Sequence, residues 1–369
     1  MKFLLALDLP LGPSLERALR QCTDDAQAFC VLDQRLSRTR RAEQLALLGA
    51  TEVLDASGRT PLETGAMVED DIGLVMLTSG SSGTPKAAMH TWDALRASAR
   101  ITQTTLRRES APVWFATLPA NHIGGLAVLL RAVLDDATLL WDDRVDLHTA
   151  AQHGATHVAV VRAHLARYDL SGFHTVLLGG ARPPEDRGTN VVTTWGMTET
   201  GSGVVYDGRP LDGVELASVD GELCVRTPTL FRAYRGAARP RVLGPDGRDD
   251  WFPTGDAGEV VDGILRVRGR LAYVINTGGE KVWPEDLEAA LGAVEGVRDI
   301  AITAEDDPEW GQRIVALVVG DGSPLDAALR NAASECIGPW AKPKVIRYVA
   351  AIPRTSNGKI RRGDLVNLY

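Results

Sequence analysis

The 369-residue chain has no C-x-x-C pair and no zinc-type spacing among its four scattered cysteines, Cys22, Cys30, Cys224 and Cys336. That argues against a disulfide framework and fits a reduced, cytoplasmic protein. A long basic run is also missing, and the formal net charge is -8. Nucleic acid is therefore not an expected partner, which leaves at most a local basic groove for an anionic ligand. The N-terminal apolar run, Phe3 to Leu7 between Lys2 and Asp8, is shorter than a signal-peptide core and far shorter than a membrane span. It is expected to be a buried element of the first domain, with no membrane insertion. Repeats and low-complexity segments are absent too. What remains, with 44% hydrophobic and 24% charged residues, is the composition of an ordinary globular protein of roughly two or three domains.

Short apolar runs alternate with helical patterns. Ile72 to Leu77, Val113 to Leu118, Thr138 to Trp141, His157 to Val161, Thr175 to Leu178 and Val191 to Thr194 read as buried strands. Trp92 to Leu106 after a Thr91 cap, and Gly125 to Leu134, read as helices. The alternation predicts a layered α/β domain, whose ligands usually bind at loops leaving strand ends. From about Asp207 the chain becomes rich in Gly and Pro, with strand patterns at Glu222 to Arg226 and Ile264 to Arg268, and a smaller β-rich part is expected. After Arg270, Pro284-Glu285-Asp286 opens a helix. Strands at Asp299 to Thr303, Ile314 to Val319 and Val345 to Val349, with a helix near Leu325 to Cys336, then predict a compact α+β tail.

Thr78-Ser79-Gly80-Ser81-Ser82-Gly83-Thr84-Pro85-Lys86 follows the first of these strands directly. Glycines let backbone N–H groups approach phosphate oxygens, hydroxyls add donors, and a lysine supplies a point charge. Lys86 falls three residues after Gly83, so the Walker spacing is not met. Read alone, the run is either a polyphosphate loop of another kind or a flexible Gly/Ser connector.

Later segments carry further chemistry. Thr194-Trp195-Gly196-Met197-Thr198-Glu199-Thr200 joins a ring that can stack on a base to a hydroxyl and a carboxylate that can hold Mg²⁺. In isolation Trp195 is as readily a packed aromatic and Glu199 a solvated turn acid. Phe252-Pro253-Thr254-Gly255-Asp256 is expected to present a carboxylate on a tight turn, suited to ribose hydroxyls. Gly269-Arg270 and Thr277-Gly278-Gly279-Glu280-Lys281 mark a second loop, either a pivot or a plain turn between strands. Near the end, Ser356-Asn357-Gly358-Lys359 places a lysine after a glycine turn, where it is either solvated or able to neutralise charge at a phosphorus centre.

In this order, the segments at 78–86, 195–199, 254–256, 269–270 and 357–359 resemble the signatures of the acyl-adenylate-forming (ANL) superfamily of acyl-CoA synthetases, adenylation domains and luciferases. The resemblance implies a large ATP- and acyl-binding domain at 1–270, with mixed sheets, helices and a β-rich part. It implies a small mobile α+β domain at 271–369 carrying the catalytic lysine. Within the superfamily the likeness narrows to the o-succinylbenzoate:CoA ligases of menaquinone biosynthesis, in the short form typical of actinobacteria. It is carried by Leu118-Pro119-Ala120-Asn121-His122-Ile123-Gly124-Gly125, by Val176-Leu177-Leu178-Gly179-Gly180-Ala181, and by Gly196-Met197-Thr198-Glu199-Thr200 leading to Val205-Tyr206-Asp207-Gly208.

The reaction so implied joins an aromatic carboxylic acid to ATP, giving an acyl-adenylate and pyrophosphate, and then to CoA with release of AMP. Catalysis of this kind is mainly positioning and charge neutralisation. By resemblance, Thr78, Ser79, Gly80, Ser81, Ser82, Gly83, Thr84 and Lys86 hold the β- and γ-phosphates, and Thr198 with Glu199 serves the α-phosphate and Mg²⁺. Trp195 and Gly196, with Gly179, Gly180 and Ala181, flank adenine. Asp256 and Arg270 take the ribose hydroxyls, and Lys359 bridges the carboxylate and the α-phosphate. His122 stands between the acyl pocket and the CoA tunnel, with Gly196 and Met197 beside the acyl group; its bland alternative is a capped histidine at a helix start. Arg167 is the candidate for the second carboxylate, although a surface arginine is the plainer reading. Ala272, with Tyr273 after it, occupies the pivot where relatives carry Asp or Lys, which puts the thioester step in question. Gly278 and Gly279 would face CoA. Two alternatives stay open: a ligase for another acid, and a nucleotide-binding protein without turnover. A homodimer is the commonest closed assembly.

Overall fold

The computed structural model describes residues 1–78, 85–106, 111–135, 137–141, 146–180, 187–320, 325–355 and 358–368. It divides into two compact units, Met1–Leu216 with Val225–Phe252, and Ala217–Cys224 with Pro253–Tyr369. Among the described residues no helix is long and apolar enough to cross a membrane.

The first unit is built on two seven-stranded sheets. In one, Leu4–Leu7 lies between the parallel strands Ala28–Val31 and Glu52–Asp55, all four of its residues being buried. The N-terminal apolar run is thus an interior strand. Outward from Ala28–Val31 come Ile72–Thr78, its antiparallel partner Lys86–Thr91, and the short strand Ala233–Tyr234. In the other sheet, Val113–Phe115, His157–Val160, Thr175–Leu178 and Val191–Met197 run parallel, and Ser202–Tyr206 returns antiparallel. Trp92–Leu106 forms the expected helix, and the Thr91 hydroxyl accepts from the Ala94 amide at 3.1 Å. Such a cap is worth about 1 kcal/mol.

Several strand boundaries differ from the sequence reading, and in the second unit Asp299 to Thr303 and Ile314 to Val319 lengthen to Val297–Asp307 and Gly311–Gly320. Val113 stops pairing at Phe115 and Thr138 at Leu139, before the predicted ends. The Val191 strand continues to Met197 because Ser202–Tyr206 gives it a new partner, with a bulge between Trp195 and Gly196. There the backbones touch so closely that a Cβ on Gly196 would lie 2.2 Å from the Ser202 carbonyl oxygen.

The second unit holds most of a four-stranded sheet, in which Phe252–Val261 and Ile264–Arg270 are antiparallel to one another and Glu215–Val219 and Glu222–Arg226 complete the order. Its other sheet pairs Val297–Asp307 with Gly311–Gly320 and adds Val345–Tyr348 in parallel. The period of two along these strands sorts side chains onto two faces. Ile300, Ile302, Ile314, Ala316 and Val318 pack with Leu287, Leu291 and Leu329 of the helices Pro284–Gly292 and Asp326–Cys336. Ala301, Val315, Leu317 and Val319 pack with Ile352 and with Leu365 of the last 3₁₀ turn, Arg362–Leu368.

Candidate active site

In the first unit only the ends of the phosphate run are described. Thr78 pairs with Lys86 across the strands that flank it. Ser79, Gly80, Ser81, Ser82, Gly83 and Thr84 lie outside the described residues, as do Ala181, Ser356 and Asn357. The Lys86 ammonium stands 5.1 Å from the ring centroid of Tyr234, whose hydroxyl donates to Glu199 Oε1 at 2.8 Å. The loop lysine and the candidate metal carboxylate therefore meet at one tyrosine, a residue the sequence reading missed. Tyr234 reaches the site by pairing with Ala88 on the lysine strand, a tertiary fact that nothing local in the sequence marks.

Glu199 is buried to 8% exposure in the 3₁₀ turn Thr198–Thr200. The Thr200 hydroxyl ties that turn down by accepting from the Met197 amide at 2.9 Å and donating to the Ser202 carbonyl at 2.7 Å. One buried carboxylate beside the Thr198 hydroxyl suits Mg²⁺, which keeps most of its waters and takes its remaining oxygens from phosphates. Among the described residues, no three His, Cys, Asp or Glu side chains converge into an all-protein metal cage.

Gly179 and Gly180 leave the carboxyl end of Thr175–Leu178, next to the parallel strand that carries Thr194 and Trp195. A Cβ on Gly179 would lie 3.0 Å from Thr194 Oγ1, and Gly180 has φ +86°. These candidate adenine contacts thus sit on adjacent strand ends, where open α/β sheets bind ligands. His122 is the N-cap residue of the helix Ile123–Leu134, where its carbonyl accepts from the Leu126 amide at 2.9 Å. Its imidazole makes no capping bond.

Behind the turn lies His90, fully buried on the lysine strand, its ring 6.3 Å from that of Phe231. Burial pushes its imidazole down to about 4, offset in part by the Thr198 backbone. Neither ring nitrogen has a partner of ordinary hydrogen-bond geometry.

The candidate cations for a second carboxylate differ sharply. Arg167 is exposed, two positions beyond the four-residue helix Arg162–Leu165, so the predicted acyl-pocket helix is only one turn there. Arg131, on the His122 helix, is 3% exposed. It lies 4.7 Å from the Trp114 ring centroid and donates to Ser202 Oγ at 3.2 Å. Among the described residues its Nη1 has no hydrogen-bond partner. Burial lowers its affinity for the proton.

In the second unit Asp256 and Arg270 face each other across the antiparallel strands, with Arg270 Nε 2.8 Å from Asp256 Oδ1. Asp256 lies within the strand Phe252–Val261 and is 7% exposed, not on a tight turn as the sequence suggested. The glycine before it does have φ +74°, but Glu222 Oε1 accepts its amide at 2.8 Å and keeps the strand going. Arg270 also donates to the Thr254 carbonyl at 2.8 Å, so the pair arrives pre-oriented.

Ala272 is exposed in the 3₁₀ turn Leu271–Tyr273. Gly278 and Gly279, with φ +59° and +85°, form the two-residue turn of the hairpin Ile275–Thr277 to Glu280–Val282. Two positive values are what a type I′ turn demands. Lys359 is exposed, and its backbone exchanges bonds with Thr355.

A cavity of about 230 Å³ lies elsewhere in the first unit, lined by Leu5, Leu9, Ala18, Cys22, Leu54 and Arg59 among others. It contains none of the motif residues.

Comparison with known proteins matches residues 9–235 to the AMP-binding enzyme family and 286–359 to the AMP-binding enzyme C-terminal domain. A probable 2-succinylbenzoate–CoA ligase of Mycobacterium tuberculosis is 36% identical, over 84% of this chain and 87% of that protein. The 2-succinylbenzoate–CoA ligase of Enterococcus faecalis is 28% identical, over 79% and 69%. Among solved structures, o-succinylbenzoate CoA synthetase from Bacillus subtilis, in complex with the acyl-adenylate intermediate, superposes with a TM-score of 0.83 at 23% identity, covering 98% of this chain and 88% of that one. ATP-bound MatB from Rhodopseudomonas palustris gives 0.82 at 20% identity, over 100% and 89%.

Proposed function

The chain belongs to the AMP-binding enzyme family, and from that premise we propose that it is an AMP-forming ligase joining o-succinylbenzoate to CoA through an acyl-adenylate. The observation that carries the adenylation reading is the meeting of Lys86 and Glu199 at Tyr234. A loop lysine and a metal-type carboxylate held at one tyrosine are the pair needed at a triphosphate. The identity of the acid rests on the names of the relatives. The fold alone does not choose it, since MatB superposes about as well.

In this reading the substrate carboxylate attacks the α-phosphorus and pyrophosphate leaves. Lys86 follows the leaving phosphates, and Glu199 with Thr198 would hold Mg²⁺, which supplies charge neutralisation at the phosphates when bound. The Tyr234 hydroxyl fixes the Glu199 rotamer. Asp256, held by Arg270, accepts from ribose hydroxyls. Lys359 neutralises charge between the carboxylate and the α-phosphate. The thiol of CoA then forms the thioester and AMP departs, with Ala272 as pivot between a large part ending at Arg270 and a small one beginning at Leu271. For the second carboxylate of the acid, Arg131 replaces Arg167 as our candidate, because a buried guanidinium whose Nη1 has no hydrogen-bond partner among the described residues gains most from an incoming anion.

The test is exchange of pyrophosphate into ATP across a panel of carboxylic acids, followed by thioester formation with CoA. Strong exchange with o-succinylbenzoate is expected. Exchange with a different acid alone would reassign the substrate, and exchange with none would leave a nucleotide-binding protein.

A further inference from the structure

We propose that Arg362 is a positioning residue for adenylation, which fastens the Lys359 hairpin and the hinge turn to one rigid body through a buried ion cluster. The assignment of Lys359 to the reaction rests on the function proposed above; the fastening itself does not.

Lys359 rides on a hairpin whose ends are Arg354 and Ile360, joined by a single antiparallel bridge. Within it, Lys359 N donates to Thr355 Oγ1 at 3.1 Å and Thr355 N to the Lys359 carbonyl at 2.7 Å. These bonds shape the loop. Next to Lys359, Ile360 packs against the core face of Ala301 and Leu317, and two arginines beside the hairpin add polar fastenings. Arg354 reaches Asp299 at 2.6 Å, but the two side chains are 38% and 33% exposed, where an ion pair contributes little. Arg362, three positions after Lys359, is only 11% exposed.

Its guanidinium uses both ends of the fork. Nη1 donates to Glu288 Oε1 at 3.0 Å and to the Ile302 carbonyl at 2.9 Å, while Nη2 donates to Glu288 Oε2 at 3.0 Å and Glu285 Oε1 at 3.1 Å. Ile302 belongs to the outer strand of its sheet, and its amide donates to Glu288 Oε1 at 2.9 Å. The ion pair thus closes both outward backbone groups of Ile302 on a sheet edge. It does so from opposite sides. Glu288 comes from the helix that packs on one face through Leu287 and Leu291, and Arg362 opens the turn that packs on the other face through Leu365.

The cluster also reaches the pivot. The Arg362 Cζ lies 5.2 Å from the ring centroid of Tyr273, which follows Ala272. Glu285 Oε2 is buried against Gly269, where a Cβ would stand 2.6 Å from it. Gly269 precedes the ribose-pair arginine, so a single guanidinium links the ends of three segments: the strand to Arg270, the turn around Ala272, and the hairpin of Lys359. Burial raises the Glu288 carboxyl, and Arg362 opposes that shift. Without the arginine, two carboxylates would share a buried site unbalanced.

Two arms test this on the full-length enzyme. In hydrogen exchange, Arg362→Met should speed the amides of Thr355, Gly358 and Lys359 while Ile314 to Val319 stay protected; unchanged hairpin amides would overturn the proposal. In pyrophosphate exchange, a shift of Lys359 on the order of 1 Å predicts roughly a 100-fold fall in kcat with little change in KM for ATP. The same substitution should cost little more in a Lys359→Ala background, whereas losses that multiply would mean that Arg362 does not act through Lys359. Arg362→Lys, which keeps the charge but not the fork, should recover part of the rate. If Arg362→Met does not fold, the triple variant with Glu285→Gln and Glu288→Gln removes the unbalanced charge and carries both arms. A wild-type enzyme that exchanges with no acid would refute the proposed function, while the hydrogen-exchange arm would still decide the fastening.

Discussion

His90 offers a stability test with a defined sign. The folded imidazole sits near pKa 4 because of burial, against an ordinary value of 6.5. The folded state therefore holds His90 neutral while the unfolded chain takes up a proton below about pH 6.5. The stability contributed by the neutral ring is complete above that pH and is lost progressively as pH falls towards 4. A shift of this size corresponds to about 3 kcal/mol in full, and to roughly 2.5 kcal/mol by pH 4.5. His90→Leu removes the titration, and because the ring's contact with the Thr198 backbone falls outside ordinary hydrogen-bond geometry and the Thr198 carbonyl also accepts from the Gly201 amide at 3.0 Å, it leaves that carbonyl satisfied. Urea unfolding of both proteins at several pH values, followed by tryptophan fluorescence, isolates the effect as a difference. The variant should match or exceed wild type at pH 7.5 and gain on it steadily below pH 6.5. Parallel loss of stability from pH 7 to pH 4.5 would refute the reasoning.

Two further substitutions test the site. Tyr234→Phe keeps a ring beside Lys86 but removes the bond to Glu199. The Mg²⁺ concentration for half-maximal pyrophosphate exchange should rise ~10-fold or more, as for other partners of metal ligands, and an unchanged Mg²⁺ dependence would remove Tyr234 from the metal's support. Arg131→Met should raise KM for a dicarboxylic aromatic acid roughly 10- to 100-fold, the worth of a charge-assisted bond, with KM for ATP unmoved. Equal effects on both would mean that Arg131 only holds the core.

Legibility in the sequence followed the range of each signal. Trp92 to Leu106 was readable to its ends because a cap and a helical period are local. The order of the motifs was readable because each is contiguous. Tyr234 was not, since it meets Glu199 across 35 positions, and its burial beside a carboxylate depends on an added edge strand. Arg131 reads locally as an ordinary helix charge, and only the packing against Trp114 shows that it is interior. Gly255 looks like a turn because it takes φ +74°, yet the strand runs through it by way of a glutamate from a neighbouring strand. Arg362 belongs to a basic tail that composition assigns to solvent, although two glutamates of a distant helix bury it.

The way the two units divide has a practical consequence for building hybrids with other family members. The chain passes from one unit to the other at 216/217, 224/225 and 252/253, so the second unit is not one continuous piece. A graft starting at Pro253 would take Phe252–Val261 without its neighbour Glu222–Arg226 and expose the backbone of a long strand, an invitation to aggregate. A graft starting at Leu271 leaves that four-stranded sheet whole in the recipient. It transplants the other sheet with its two faces of core, the Lys359 hairpin and the ion cluster of Arg362, Glu285 and Glu288 together, leaving behind the Gly269 contact of Glu285. The best place to cut is therefore not where contacts are fewest but where no strand loses its partner.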